Sequence, residues 1–238
     1  MENKKVYFKM TEVKKYEKET GKFTGKAQIY LENGNAMEPH YITTGTGRKI
    51  EEIVNISGSF PYKLNRFDFY VGLVKSQEED NIVLSRIDRI APDTEDVLRV
   101  FLQRFIKRVR VRKKVLKDFQ AGSFKTFRSF LPNLASAGVD VKAIQDIRTN
   151  LTEHEQCTHL QDLLEEVDCS YNSVSELIIK YKDEAENILK TTPFTAFPEG
   201  TLGWLDADKL FRYFKHNPKD HIRCQTAVKD LLQSAAKY

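Results

Sequence analysis

Residues Phe105–Phe119 read FIKRVRVRKKVLKDF. Seven of these fifteen side chains are Lys or Arg, and one, Asp118, is acidic. The alternation Arg108-Val109-Arg110-Val111-Arg112 has the period of a strand, while its flanks have the period of a helix. The first reading gives a charged strand. The second gives the end of one helix, a tight turn and the start of another.

Outward from this stretch the helical period dominates. Upstream, Val97, Leu98, Phe101, Leu102, Phe105 and Ile106 recur at steps of three and four and make one apolar face. Downstream, Val115, Leu116 and Phe119 make a second face, and Phe124, Phe127, Phe130 and Leu131 a third. Gly138 interrupts before Val141, Ile144 and Ile147. Cys157, Leu160, Leu163, Leu164 and Val167 follow, then Val174, Leu177, Ile178, Tyr181, Ala185 and Ile188, closed by Thr192-Pro193. A last segment runs from Asp206 to Phe214, breaks at Asn217-Pro218 and resumes from His221.

The first ninety residues have another grammar. Val6–Val13, Gly25–Leu31, Glu52–Phe60, Phe67–Val74 and Asn81–Ile87 are rich in β-formers. Turn signals such as Lys18-Glu19-Thr20-Gly21 and Glu32-Asn33-Gly34-Asn35 stand between them. Short strands at this spacing predict a small barrel or sandwich. Ala91-Pro92-Asp93 ends the β part, and Asp93 or Thr94 is placed to cap the next helix. The expected fold class is therefore α+β, with a β-rich domain over 1–92 and an all-α domain over 93–238.

Net charge is +4, but its distribution is uneven. Residues 99–128 hold 11 basic side chains and 1 acidic one, and residues 129–190 hold 5 and 12. Two helices that neutralise each other would explain this, and so would an anionic partner on the basic face. No apolar run approaches the length of a membrane span, and no secretory signal opens the chain. Three scattered cysteines, Cys157, Cys169 and Cys224, suit a reduced, cytoplasmic setting.

Familiar catalytic motifs are missing. There is no phosphate loop, no dinucleotide fingerprint and no nucleophile elbow. The Gly-rich loop Thr44-Gly45-Thr46-Gly47-Arg48-Lys49 lacks the strand-to-helix setting of a phosphate cradle. His154, Cys157, His159 and Cys169 lack the paired spacing of zinc ligands, and Cys157 lies in an apolar stripe. Glu165, Glu166 and Glu184 read as a solvated helix face. No cofactor and no metal are expected.

The helical part resembles the N-terminal region of long-form RecD-type DNA helicases, relatives of the exodeoxyribonuclease V alpha subunit. In that family a small β-domain precedes tandem helix-hairpin-helix units and then an ATP-driven motor. Ile106, Lys107, Val109, Leu116 and Phe119 lie on the frame of such a unit. Arg108 and Arg110 replace its two glycines, Val111 its proline and Lys114 its alanine. Leu134–Val139 leading into Val141–Ile147 resembles a second, weaker unit. The most specific match is C-terminal: Thr192-Pro193-Phe194, Leu202-Gly203-Trp204, Ala207-Asp208-Lys209-Leu210, Asp220-His221-Ile222-Arg223, Leu231-Leu232 and Ala235-Ala236. In the β part, Gly58-Ser59-Phe60 and the Ile87–Pro92 exit fit loosely.

The resemblance implies a helix end, a turn and a new helix at the opening stretch. It also implies non-specific contact with DNA phosphates, through Lys107, Arg108, Arg110, Arg112 and Lys113. The replaced glycines would move that contact from backbone to side chains, because arginine does not easily take a positive φ. Partners expected on this basis are DNA and the motor domains of a longer helicase chain, and no membrane. Two rivals stand beside it. One is a protein–protein adaptor. The other is a single-strand RNA binder stacking bases on Phe67, Phe69 and Tyr70.

Overall fold

The computed structural model describes residues 4–33, 36–43, 46–169, 172–196 and 202–235. The turn at Gly34-Asn35, Thr44-Gly45 of the Gly-rich loop and Ala236 lie outside the described residues. The described part is α+β: a six-stranded sheet, then helices.

The strands are β1 (Lys5–Tyr16), β2 (Lys22–Asn33), β3 (Ala36–Pro39), β4 (Tyr41–Thr43), β5 (Lys49–Glu51), β6 (Ile53–Ser59), β7 (Tyr70–Glu78) and β8 (Asn81–Arg89). The sheet runs β1-β7-β8-β6-β2-β3, and β1 also pairs with β2. That extra pairing closes five strands into a ring, with β3 on its edge. All pairings in the ring are antiparallel except β6 with β8. This is a five-stranded Greek-key barrel of the OB-fold kind. The two-residue period fills it: Val6, Phe8 and Met10 of β1, Val54 and Ile56 of β6, and Ile82, Leu84 and Ile87 of β8 are buried. At Gly25 of β2 a Cβ would stand 2.2 Å from the Glu12 carbonyl oxygen, where β1 shifts register between Met10 and Glu12. Only glycine allows that close approach. The β4–β5 ribbon pairs with itself, Ile42 opposite Ile50, and none of its six residues is buried.

The helices are α1 (Glu95–Phe105), α2 (Val109–Ala121), α3 (Phe127–Phe130), α4 (Val141–Glu166), α5 (Asn172–Tyr181), α6 (Ala185–Thr191), α7 (Trp204–Tyr213) and α8 (His221–Ala235). Two differ from the expected pattern. The faces 141–147 and 157–167 belong to one helix, because nothing in 148–156 breaks it. The face 174–188 is split by a 3₁₀ turn over Lys182–Glu184, where Lys182 takes φ +48°.

The chain folds as two compact units. One holds residues 1–17 and 22–155, the other 18–21 and 156–238. In the first, α1 to α4 share a core that includes Leu98, Phe101, Phe119, Phe127, Phe130 and Ile147. A buried polar cluster ties these helices to the barrel. Asp68, ahead of β7, meets Arg104 of α1 at 2.9 Å and Arg89 of β8 at 3.8 Å. Arg89 donates to the Asn150 side chain of α4 and, at 2.6 Å, to its carbonyl oxygen. Burial pushes the Asp68 carboxyl up against the opposing pull of both guanidiniums. Removing any member would strand a buried charge or donor.

Candidate nucleic-acid interface

The opening stretch is a helix end, a turn and a helix. The Ile106 N–H donates to the Leu102 carbonyl oxygen at 2.9 Å, ending α1. Ile106 (φ −113°) and Arg108 (φ −74°) are extended, and α2 starts at Val109, with the N–H groups of Val111 and Arg112 both reaching the Arg108 oxygen at 3.1 Å. Arg110 lies inside α2, and neither it nor Arg108 has a positive φ. The turn therefore closes without the left-handed residues that glycine would supply.

Arg112 makes this possible. Its Nη1 donates to the carbonyl oxygens of Ile106 at 2.6 Å and Lys107 at 3.1 Å. Those acceptors are left over where α1 stops. Of the five residues read as DNA contacts, Arg112 is half-buried and engaged in holding the turn. Lys107, Arg108, Arg110 and Lys113 are exposed and make no ion pair among the described residues. Elsewhere in the basic block, Arg99 pairs with Glu95, Arg104 with Asp68 and Arg128 with Glu155. Internal neutralisation thus explains the block's ends and not its middle.

The start of α2 is also open. Its N-cap, Arg108, forms no side-chain cap, and its first turn has no acid. Two other helices begin on a carboxylate. Asp140 accepts from the Ala143 N–H at 2.9 Å at the head of α4, and Asp220 accepts from the Ile222 N–H at 2.8 Å at the head of α8. A carboxylate there satisfies the amides and favours the helix dipole, which leaves an external anion little to gain. The positive end of α2 instead stands beside four exposed cations.

The second hairpin, Leu134–Asp140, has the backbone that the first lacks. Gly138 takes φ +88°, and the Val139 N–H reaches the Leu134 carbonyl oxygen at 3.1 Å. Lys114 Nζ donates to the Ser136 oxygen at 2.9 Å, joining α2 to this hairpin.

In the second unit part of the C-terminal motif is structural, while its Ile222, Leu231 and Leu232 are exposed. Phe194, Leu202, Ala207 and Leu210 are buried. Asp208, 5% exposed, takes Arg223 Nε at 2.6 Å and Arg212 Nη2 at 2.7 Å. It thereby joins α7 to α8. The Asp208/Arg212 spacing of four was legible as a helix pair; the Arg223 link needs the turn at Lys215, φ +57°, and was not.

Other sequence candidates come apart. Phe69 and Tyr70 are 3% and 1% exposed in the core, so they cannot stack bases, and only Phe67 remains half-exposed. Among the described residues no three His, Cys, Asp or Glu side chains gather to hold a metal. Burial, with Arg89 adding a smaller push, lowers His154 to about 3. Cys157 is buried, and burial drives the Cys169 thiol up to about 12. No helix among the described residues is long and apolar enough to cross a membrane.

Residues 153–238 match the family described as the ATP-dependent RecD2 DNA helicase HHH domain. Over that segment the resemblance to a RecD-type helicase N-terminal region is borne out. The segment contains Asp208, Arg223 and Asp220, and leaves the Phe105–Phe119 hairpin outside it. No curated protein matches the chain.

Proposed function

We propose that this chain, which carries a RecD2-type helicase HHH domain over residues 153–238, grips the DNA backbone in support of a helicase motor without reading sequence. The observation that carries the reading is the start of α2. Four exposed cations without an ion pair among the described residues, Lys107, Arg108, Arg110 and Lys113, surround an uncapped helix N-terminus. Side chains of this type fix position on phosphates and carry no base code. Contact is expected mainly at the first hairpin, since Asp140 occupies the helix start at the second. DNA and a helicase motor are the proposed partners, and a cytoplasmic setting goes with them.

The mechanism is tested by exchanging Arg108 and Arg110 for Gly in one variant and for Ala in another. With side-chain contact, both double variants lose duplex affinity alike. Were the backbone the ligand, the Gly variant would bind at least as well as the original chain. If neither variant loses affinity, the adaptor reading takes the lead.

A further inference from the structure

The barrel carries a second cationic feature, separate from the hairpin. β1 pairs with β7 only from Lys5 to Phe8, so its later half has no partner on that side among the described residues. The connection between β6 and β7 runs alongside instead. Tyr16 Oη donates to the Pro61 oxygen at 2.8 Å, and the Asn65 N–H donates to Tyr70 Oη at 2.8 Å. Asn65 Oδ1 in turn accepts from the Phe67 N–H at 3.0 Å. These bonds fix the loop and leave a groove of about 330 Å³ between Met10–Val13 and Lys63–Phe67.

The groove has distinct sides. The Arg66 guanidinium carbon lies 5.0 Å from the centre of the half-exposed Phe67 ring, forming a flat cationic surface. Lys63 and Arg66 are exposed and form no ion pair among the described residues. Glu12 lines the opposite side. We propose that this groove takes one nucleotide of a single DNA strand. The base stacks on the Arg66 plane backed by Phe67, and the phosphate lies by Lys63, kept from the β1 side by Glu12. Base stacking on an aromatic or guanidinium plane beside a cation is how single strands are held without sequence preference. Duplex lacks an unstacked base to offer, so the groove ignores it. With Phe69 and Tyr70 in the core, one base is its capacity.

The test is fluorescence anisotropy with labelled oligo-dT and with a labelled duplex of random sequence. Phe67→Ala removes the ring that holds the Arg66 plane and should weaken oligo-dT binding at least roughly 5-fold and by no more than the roughly 100-fold of one fully lost base stack, with duplex binding unchanged. Phe67→Trp should retain the affinity. Should Phe67→Ala fail to fold, the paired change Lys63→Ala/Arg66→Ala touches only exposed side chains and should weaken oligo-dT more than duplex, since both lose charge and only oligo-dT loses the stack. Oligo-dT binding unchanged in the folded variants overturns the proposal. Loss of oligo-dT binding only in Arg108→Ala/Arg110→Ala also overturns it, and leaves the hairpin reading intact. The reverse pattern upholds the groove and leaves the hairpin to be judged on duplex binding alone.

Discussion

Arg112 should behave as a clamp on the turn and not as a DNA ligand. Its guanidinium reaches two carbonyl oxygens at 2.6 and 3.1 Å. A hydrogen bond with a charged partner contributes about 1.5–3 kcal/mol, and partial exposure holds this pair near the lower end. Arg112→Ala should therefore cost about 2 kcal/mol in urea unfolding. Arg112→Lys should recover part of that, since an ammonium lacks the planar fork. The DNA assay separates the roles. A lost phosphate contact changes the slope of log K against log salt by about 0.9 for duplex. Arg108→Ala should show that change, and Arg112→Ala should show less than half of it. Full stability in Arg112→Ala together with a slope change near 0.9 would refute the clamp.

Other tests bear on the scaffold. His154 is held neutral, with its value lowered from 6.5 to about 3. Below pH 6.5 the unfolded chain takes a proton that the folded chain refuses, so stability falls with pH until about 3. Between pH 7 and 5 the loss should be about 2 kcal/mol, absent in His154→Leu; equal pH dependence in both would remove this account. Asn150→Ala should destabilise the first unit by about 2 kcal/mol, because it strands the buried Arg89 Nη1 donor while the bond to the residue-150 carbonyl oxygen remains; a loss under 1 kcal/mol by urea unfolding speaks against the cluster as a tie. The domain limits 1–92 and 93–238 remain a proposal for limited proteolysis. A cut near Ala91–Asp93 with a resistant helical fragment supports them. A resistant fragment reaching about residue 155 moves the boundary into α4, the outcome that the Arg89–Asn150 and Asp68–Arg104 bonds favour.

Much of the fold was legible because periodicity is local. The alternation in Val6–Met10 and the three- and four-residue steps in Val97–Ile106 each record one buried face. β4 and β5 were missed because short exposed strands bury no face and leave no such record, and β3 because four residues are too few to show an alternation. The run of α4 through 148–156 was missed because its inner side carries the buried Asn150, with Leu151 the one apolar residue in the stretch. At the site, the cations of FIKRVRVRKKVLKDF were evident, but their division was not. Arg112 and Arg110 differ only in which way the helix turns them, and that fixes one on carbonyls and leaves the other in solvent. The Asp68–Arg89–Asn150 cluster joins three distant segments, and no local spacing announces it.

The central claim is that the α2 hairpin holds DNA by side-chain charge. The most direct test is the salt dependence of duplex binding by the original chain and by a variant with Lys107, Arg108, Arg110 and Lys113 all changed to Ala. Three or four phosphate contacts give a slope of about −3 to −4, and the variant should fall to about −1 or flatter, on DNA of any sequence. Equal slopes and affinities for the two proteins would contradict the account.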